Sequence, residues 1–533
     1  MSVLPGVSPL FRDYLAMGSS AADSAVRSWY GAEPFSTGWM ASAPTGRSAE
    51  ALADLLERQN IAFGAGVAAL DNIRKLRAGA QAVVTGQQVV LFGGPLLTLL
   101  KAATAIARAK TATEQTGVNH VPIFWMATED HDLAEVDQVS LLTKTSVETL
   151  RVGLRANAAP VGGVVPGEEL DAVLERAAEL LAHAPVSEWL RECYRPAGGE
   201  RPTLTLAFGR LMVRIFAAQG LIVMDASTRE FHALGAGTLR YAIEHADELQ
   251  AALAARNEEL ERAGYHAQVL VNDGASLLFL IDETTGERLS LKRQSDGEWK
   301  ANGRAYSTTE LLAILDASPE RLSPNALLRP VFQDTILPTA AYVGGPSEVA
   351  YFAQSSVVYR TILGRVTPVL PRLSATLLEP AVAAVMDKDE IQLPDAMTTA
   401  DELAQRLGAR AMPIELKRKL AAAGNALDKE LNALTQYLGA MDASLGKSAE
   451  ASGSKMLYQM NRLRRMAATF ELQKNASLRK HADAITLNVF PDGHPQERVV
   501  AGVWFMARYG DGLVERLVDV AANQCPSHVV VRL

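Results

Sequence analysis

Cysteine is almost absent: Cys193 and Cys525 are the only two in 533 residues. So sparse a supply excludes a disulfide framework and suits a reducing compartment. Neither residue stands in a zinc-binding spacing, and both read as packing residues rather than nucleophiles. A basic excess is also missing. The 52 Lys and Arg residues are outnumbered by 60 Asp and Glu, giving a net charge of −8, which argues against a general nucleic-acid binder. No apolar run is long enough to span a membrane; the best, Val89–Ala107, is interrupted by Gly93-Gly94-Pro95 and Lys101. The opening residues MSVLPGVSPLFRDYL lack the basic start and apolar core of a secretory signal. These absences lead us to expect a cytoplasmic protein with no membrane or nucleic-acid partner. With 48% hydrophobic and 21% charged residues, the chain has a globular composition and room for two or three domains.

What is present concentrates in residues 81–132. An apolar run, Ala82–Val84, ends in Thr85-Gly86-Gln87-Gln88. The turn Gly93-Gly94-Pro95 follows, and then apolar residues at helical spacing with Lys101 among them. A second apolar run, Val121–Ala127, stops at Glu129-Asp130-His131-Asp132. Strand, glycine loop, helix and strand predict a βαβ unit in a parallel sheet. Proline suits the first helical position, and the helix start beyond two glycines offers free N–H groups to an anion. The acidic cluster would stand at the carboxyl end of a strand, where open α/β sheets bind ligands. The generic nucleotide patterns GxGxxG and GxxxxGKS/T do not occur here, and the same residues also read as a plain turn and a solvated acidic loop.

The motif style returns at residues 323–380. Asn325, Arg329, Gln333 and Asp334 lie close together, a short strand spans Ala340–Val343, and Gly344-Gly345-Pro346 precedes a helix opening with Ser347 and Glu348 and containing Tyr351. Arg360, Arg365 and Arg372 each read as surface or salt-bridge residues. Between the two motif regions, Gly220–Asp225 predicts a buried strand whose Asp225 either faces the ligand crevice or, the preferred reading, caps the next helix. Ala233–Ala263 reads as one long helix. His266–Ile281 and Arg288–Ala305 read as a β-rich insertion (264–306) with turns at Asn272-Asp273-Gly274 and Glu283–Gly286. Farther on, Leu427, Leu431, Leu434, Leu438, Met441 and Leu445, then Met456, Met460, Leu463, Ala467 and Phe470, step by three and four. This is the heptad pattern, and a link at Gly446–Ser454 would make it an antiparallel hairpin. Its apolar stripe predicts a homodimer. Val499–Met506 and His528–Val531 read as strands in a tail returning to the core.

Thr85–Gln88, Leu91–Leu96, Lys101-Ala102, Phe124-Trp125 with Glu129–Asp132, and Tyr342–Phe352 together resemble the BshC family, the cysteine ligase of bacillithiol biosynthesis. The resemblance runs through most of the chain in the same order. It implies an α/β fold: a Rossmann-like parallel-sheet core over 1–382 and a coiled-coil domain over 383–533. It implies an enzyme that ligates L-cysteine to glucosaminyl malate by an amide bond, with ATP as the expected activator and magnesium as a candidate ion. On that reading His131 is the candidate general base, its unperturbed pKa lying near neutrality. Glu129, Asp130 and Asp132 would hold an ammonium or the metal, or orient His131. Gly86, Gly93, Gly94, Gly344 and Gly345 would face phosphates, and Gln87 and Gln88 would read polar substrate groups. The HIGH and KMSKS signatures of another Rossmann class that activates cysteine are absent. A nucleotide-sugar transferase and a non-catalytic coiled-coil scaffold are the rival readings.

Overall fold

A computed structural model of the chain describes all residues except 1–3, 18–23, 42–48, 156–157, 272–273, 511 and 524–526. Cys525 and the Asn272-Asp273 turn therefore lie outside the described residues. The chain divides into two compact units: residues 1–143, 148–375 and 497–529 form the first, and residues 144–147, 376–496 and 530–533 the second. The expected boundary at 382 thus moves to 375, and most of the C-terminal tail belongs to the first unit.

The first unit is built on a five-stranded sheet. Its strands are β1 (Gln81–Gln87), β2 (His120–Met126), β3 (Ile222–Asp225), β9 (Thr339–Gly344) and β10 (Val369–Pro371), in the order β10-β9-β1-β2-β3. Every pairing is parallel. Val83, Val84, Ile123 and Val223 have no exposed surface, as expected for strands covered on both faces. Burying each such side chain contributes roughly 1.5–3 kcal/mol. From β1 the chain builds outward to β2 and β3 on one side and to β9 and β10 on the other. The switch in direction falls between β1 and β9, where such sheets leave a crevice at their carboxyl edge.

Four helices of this unit matter below: α1 (Leu97–Thr116), α2 (Arg229–Glu244), α3 (Arg329–Ile336) and α4 (Pro346–Leu363). The predicted helix over 233–263 is in fact two, because His245 leaves the helical conformation between α2 and Ala246–Arg262. The β-rich insertion forms an antiparallel sheet of β4 (Ala275–Ile281), β5 (Arg288–Arg293), β6 (Trp299–Ala301), β7 (Arg304–Tyr306) and β8 (Leu322–Pro324), in the order β8-β4-β5-β6-β7. The Thr285-Gly286 turn joins β4 to β5 as predicted, with Gly286 N–H donating to Asp282 O.

The predicted strand Val499–Met506 is mainly helix, Gly502–Tyr509; only the isolated bridges Pro95 to Ala501 and Ser140 to Val500 pair as strands do. Val503, Trp504 and Phe505 are all buried, and a short run buried on every side carries no period that separates helix from strand. His528–Val531 does lead into a strand, Val529–Arg532.

In the second unit, α5 (Ala400–Ala411), α6 (Ile414–Met441), α7 (Ala443–Lys474) and α8 (Ala476–Val489) include the predicted antiparallel hairpin, α6 against α7. Its turn is not at Gly446–Ser454, which is helical. Asp442 makes the turn, its carboxylate accepting from Ser444 and Leu445 N–H at 2.8 and 3.1 Å. The glycines serve packing instead: a Cβ on Gly446 would stand 2.7 Å from Gly439 Cα, so the two helices touch through bare backbone.

Candidate functional site

A cavity of about 810 Å³ opens in the first unit. Its floor is the carboxyl edge of the sheet: Gly86 to Gln88 after β1, Met126 to His131 after β2, Ala226 and Ser227 after β3, and Gly345 after β9. Lys101 organises one end. It comes from the first turns of α1 and is buried, and its Nζ donates to Gly86 O at 2.7 Å and Gln87 Oε1 at 2.8 Å. The same ammonium pairs with Glu348 Oε2 at 2.5 Å. Glu348 also accepts from Tyr342 Oη at 2.6 Å and from Gly345 N–H at 2.7 Å. Burial lowers the Lys101 pKa, and Glu348 partly restores it. For Glu348, burial opposes ionisation, but Lys101 and the Gly345 N–H outweigh it and hold the carboxyl below its usual value. This pair ties the end of β1 to the start of α4.

Around it stand further cations. Arg329 Nη2 donates to Tyr351 Oη at 2.9 Å and its guanidinium lies 5.6 Å from the Tyr342 ring centre. Arg372 is buried and paired with the equally buried Glu497 at 2.7 Å. Arg498 lines the cavity without a carboxylate in ion-pair range among the described residues.

The other end is acidic. Glu129 Oε1 stands 3.0 Å from Nε2 of His232, a residue of α2 with no exposed surface, as an ion pair rather than a linear hydrogen bond. His232 Nδ1 lies 3.1 Å from Pro319 O. Burial works against the charged imidazole, yet Glu129 outweighs it and the pKa rises. Asp130 accepts from His131 N–H at 2.8 Å and stands 3.8 Å from His131 Nδ1. Gln88 Nε2 donates to Glu135 at 3.0 Å, and burial, then Asp130 and Asp132, push the Glu135 carboxyl up. Among the described residues no group of three or more His, Cys, Asp or Glu is placed to hold a metal ion.

Family models match both units: the N-terminal Rossmann-like domain of bacillithiol biosynthesis BshC over residues 3–373, and its C-terminal coiled-coil domain over 375–533. The chain belongs to the BshC family. A relative from Koribacter versatilis is 42% identical, covering 100% of this chain and 99% of its own. One from Solibacter usitatus is 36% identical over 86% of each, and one from Salinibacter ruber 32% identical over 98% and 96%. All three carry the name "Putative cysteine ligase BshC". Among the described residues, no helix is long and apolar enough to cross a membrane.

In this BshC chain the cavity gathers Gly86, Gln87, Gln88, Lys101, Glu129, Asp130, His131, Asn325, Arg329, Gly345, Pro346, Ser347, Glu348 and Tyr351 from the sequence-derived set. Others lie elsewhere. Thr85 is buried within β1, bonded to Val343 O. Asp132 caps the short helix Leu133–Val136. Gln333 and Asp334 are buried behind Arg329, where Asp334 accepts from Tyr359 Oη at 2.7 Å. Gly344 closes β9, and the Gly345 N–H offered to a phosphate is already taken by Glu348.

Gly93, Gly94 and Pro95 also stand away from the cavity. Phe92, Gly93 and Gly94 all have positive φ (53°, 84° and 70°). The Phe92 N–H donates to Tyr194 Oη at 2.9 Å, and Gly94 O accepts from Gly502 N–H at 3.2 Å. A non-glycine residue in that region costs roughly 1–2 kcal/mol, so two of the three positions are glycine and the loop is a packing junction. Asp225, predicted as a helix cap, instead accepts from Thr128 Oγ1 at 2.5 Å, while Thr228 is the N-cap of α2. His232, Arg288, Lys292 and Arg498 carried no local motif. Of the three arginines read as surface or salt-bridge residues, Arg372 is salt-bridged but forms part of the cavity wall.

Proposed function

We propose that this protein joins L-cysteine to glucosaminyl malate through an amide bond, with ATP activating the cysteine carboxyl. Family membership supports the reaction class. The observation that carries the reading is that one cavity presents both signs of charge: the carboxylates Glu129 and Asp130, and the cations Arg288, Lys292, Arg329 and Arg498. Both substrates carry an amine and at least one carboxylate, so each needs an anionic and a cationic contact at once.

A free carboxylate does not condense with an amine in water, because hydroxide is a poor leaving group. ATP, when bound, supplies the better leaving group. Arg329 and Arg498, which line the cavity, would hold its phosphates. Lys101 is committed to Glu348 and to the end of β1; it shapes the loop rather than reacting. Glu129, positioned by His232 at 3.0 Å, holds an ammonium group. His131 takes the proton that the attacking amine must lose, and a base so placed typically contributes about 10²- to 10⁴-fold.

The test is to incubate pure protein with glucosaminyl malate, cysteine and ATP and to follow the product by mass. The expected result is a thiol heavier than glucosaminyl malate by one cysteine residue, formed only when all three are present. No product removes the ligase reading; product without ATP removes the activation step. We also propose a homodimer through the α6–α7 hairpin. Leu434, Tyr437, Met441, Leu445, Met456, Leu463, Met466 and Phe470 are all at least 45% exposed. At 3.6 residues per turn they fall roughly a quarter turn from the packed stripe on both helices, in the same sense. Since the helices are antiparallel, that places both rows on one face of the hairpin, where a second copy would cover them.

A further inference from the structure

The β-rich insertion contributes a wall to the cavity, and the wall is cationic. Along β5 the residues alternate, as strands require: Leu289 and Leu291 point one way, with Leu291 fully buried, and Arg288, Ser290 and Lys292 the other, toward the cavity. Phe279 and Ala275 of β4, paired with Ser290 and Lys292, share that face.

Arg288 is held firmly. Its Nε donates to Ser323 Oγ and its Nη2 to Pro324 O, both at 2.9 Å, and its guanidinium lies 3.9 Å from the Phe279 ring centre. These contacts fix the plane of the fork. Among the described residues, no carboxylate stands within ion-pair range of Arg288, and its Nη1 has no protein acceptor. The contrast is with Lys101 and Arg372, whose charges Glu348 and Glu497 neutralise. Burial pushes the Arg288 pKa down, with Glu129 and Asp130 restoring part of it from a distance. A desolvated cation without a partner is costly to keep, and a planar guanidinium with a free edge matches a carboxylate.

We propose that the cavity face of the β4–β5 hairpin is the acceptor-recognition wall, where Arg288 and Lys292 take the carboxylates of a sugar-linked dicarboxylic acid. The acceptor's amine then turns toward Glu129 and His131. This assignment rests on the ligase reading above. It gives the insertion a role that its sequence did not disclose.

Calorimetric binding to the full-length protein tests it, with glucosaminyl malate as probe, methyl glucosaminide as the same sugar without carboxylates, and cysteine as the other substrate. Losing a charged hydrogen bond is worth about tenfold or more in affinity. Arg288→Gln should therefore weaken glucosaminyl malate at least that much, Lys292→Gln should weaken it less, and neither should change methyl glucosaminide or cysteine binding. Should Arg288→Gln not fold, exposed Lys292→Gln decides alone. If the variants bind glucosaminyl malate as wild type does, the wall assignment is wrong and the ligase reading stands. If wild type itself binds no glucosaminyl malate, both fall.

Discussion

Lys101 and Glu348 show at the level of single residues how this site is held. Lys101 is buried and Glu348 largely so, and each supplies the charge that makes withdrawal of the other from water tolerable. Removing one partner of such a pair typically costs about 3–5 kcal/mol, because the remaining charge is stranded. Lys101→Met should therefore lower unfolding stability by roughly 3 kcal/mol in urea titrations, whatever happens to activity. The pair also sets an acid limit. The Glu348 pKa is depressed in the folded state, so its contribution is present above its ordinary value and is lost as pH falls through the folded value. The stability gap between wild type and Glu348→Gln should be widest near neutrality and should close in acid; a gap that does not change with pH would contradict the pairing. At His131 the prediction is catalytic. His131→Asn should lower turnover at least about tenfold with little change in stability, and wild-type turnover in that variant would remove the general-base role.

Secondary-structure elements show which parts of the sequence could be read and which could not. The parallel strands were legible because apolar runs such as Ala82–Val84 were bounded by turn residues. The acidic end of β2 was legible because strand ends in such sheets meet ligands. The two Gly-Gly-Pro turns looked alike in sequence, yet their surroundings separate them. Gly345 faces the cavity, whereas Gly93 and Gly94 pack beneath Tyr194 and the returning tail. No local pattern carries that difference, because the covering residues come from far away in the chain. The same limit hid His232 and Arg288, whose roles depend on long-range neighbours. In the hairpin, the glycine and serine content suggested a link, but helix contact explains it better. Gly446→Ala should destabilise the hairpin by about 1–3 kcal/mol, since its Cβ meets backbone. Gly453→Ala, whose Cβ would lie 3.7 Å from Leu431, should stabilise it by about 0.5–1 kcal/mol through helix propensity. Thermal melts of the two variants moving in the same direction would refute the backbone contact between Gly439 and Gly446.

For the whole molecule, two surfaces carry the account: the exposed apolar face of α6 and α7, and the cavity lined by charges of both signs. Replacing Met456, Leu463 and Phe470 together with Glu should halve the solution mass in light scattering while leaving the helical circular dichroism unchanged; a mass already equal to one chain in the wild type would end the dimer proposal. The cavity can be tested by sight. A crystal of the protein grown with glucosaminyl malate should place the ligand's sugar and carboxylates between the carboxyl ends of β1 and β9 and the β4–β5 hairpin, with its amine toward Glu129. Density for the ligand elsewhere on the molecule, with this cavity holding only water, would contradict the account.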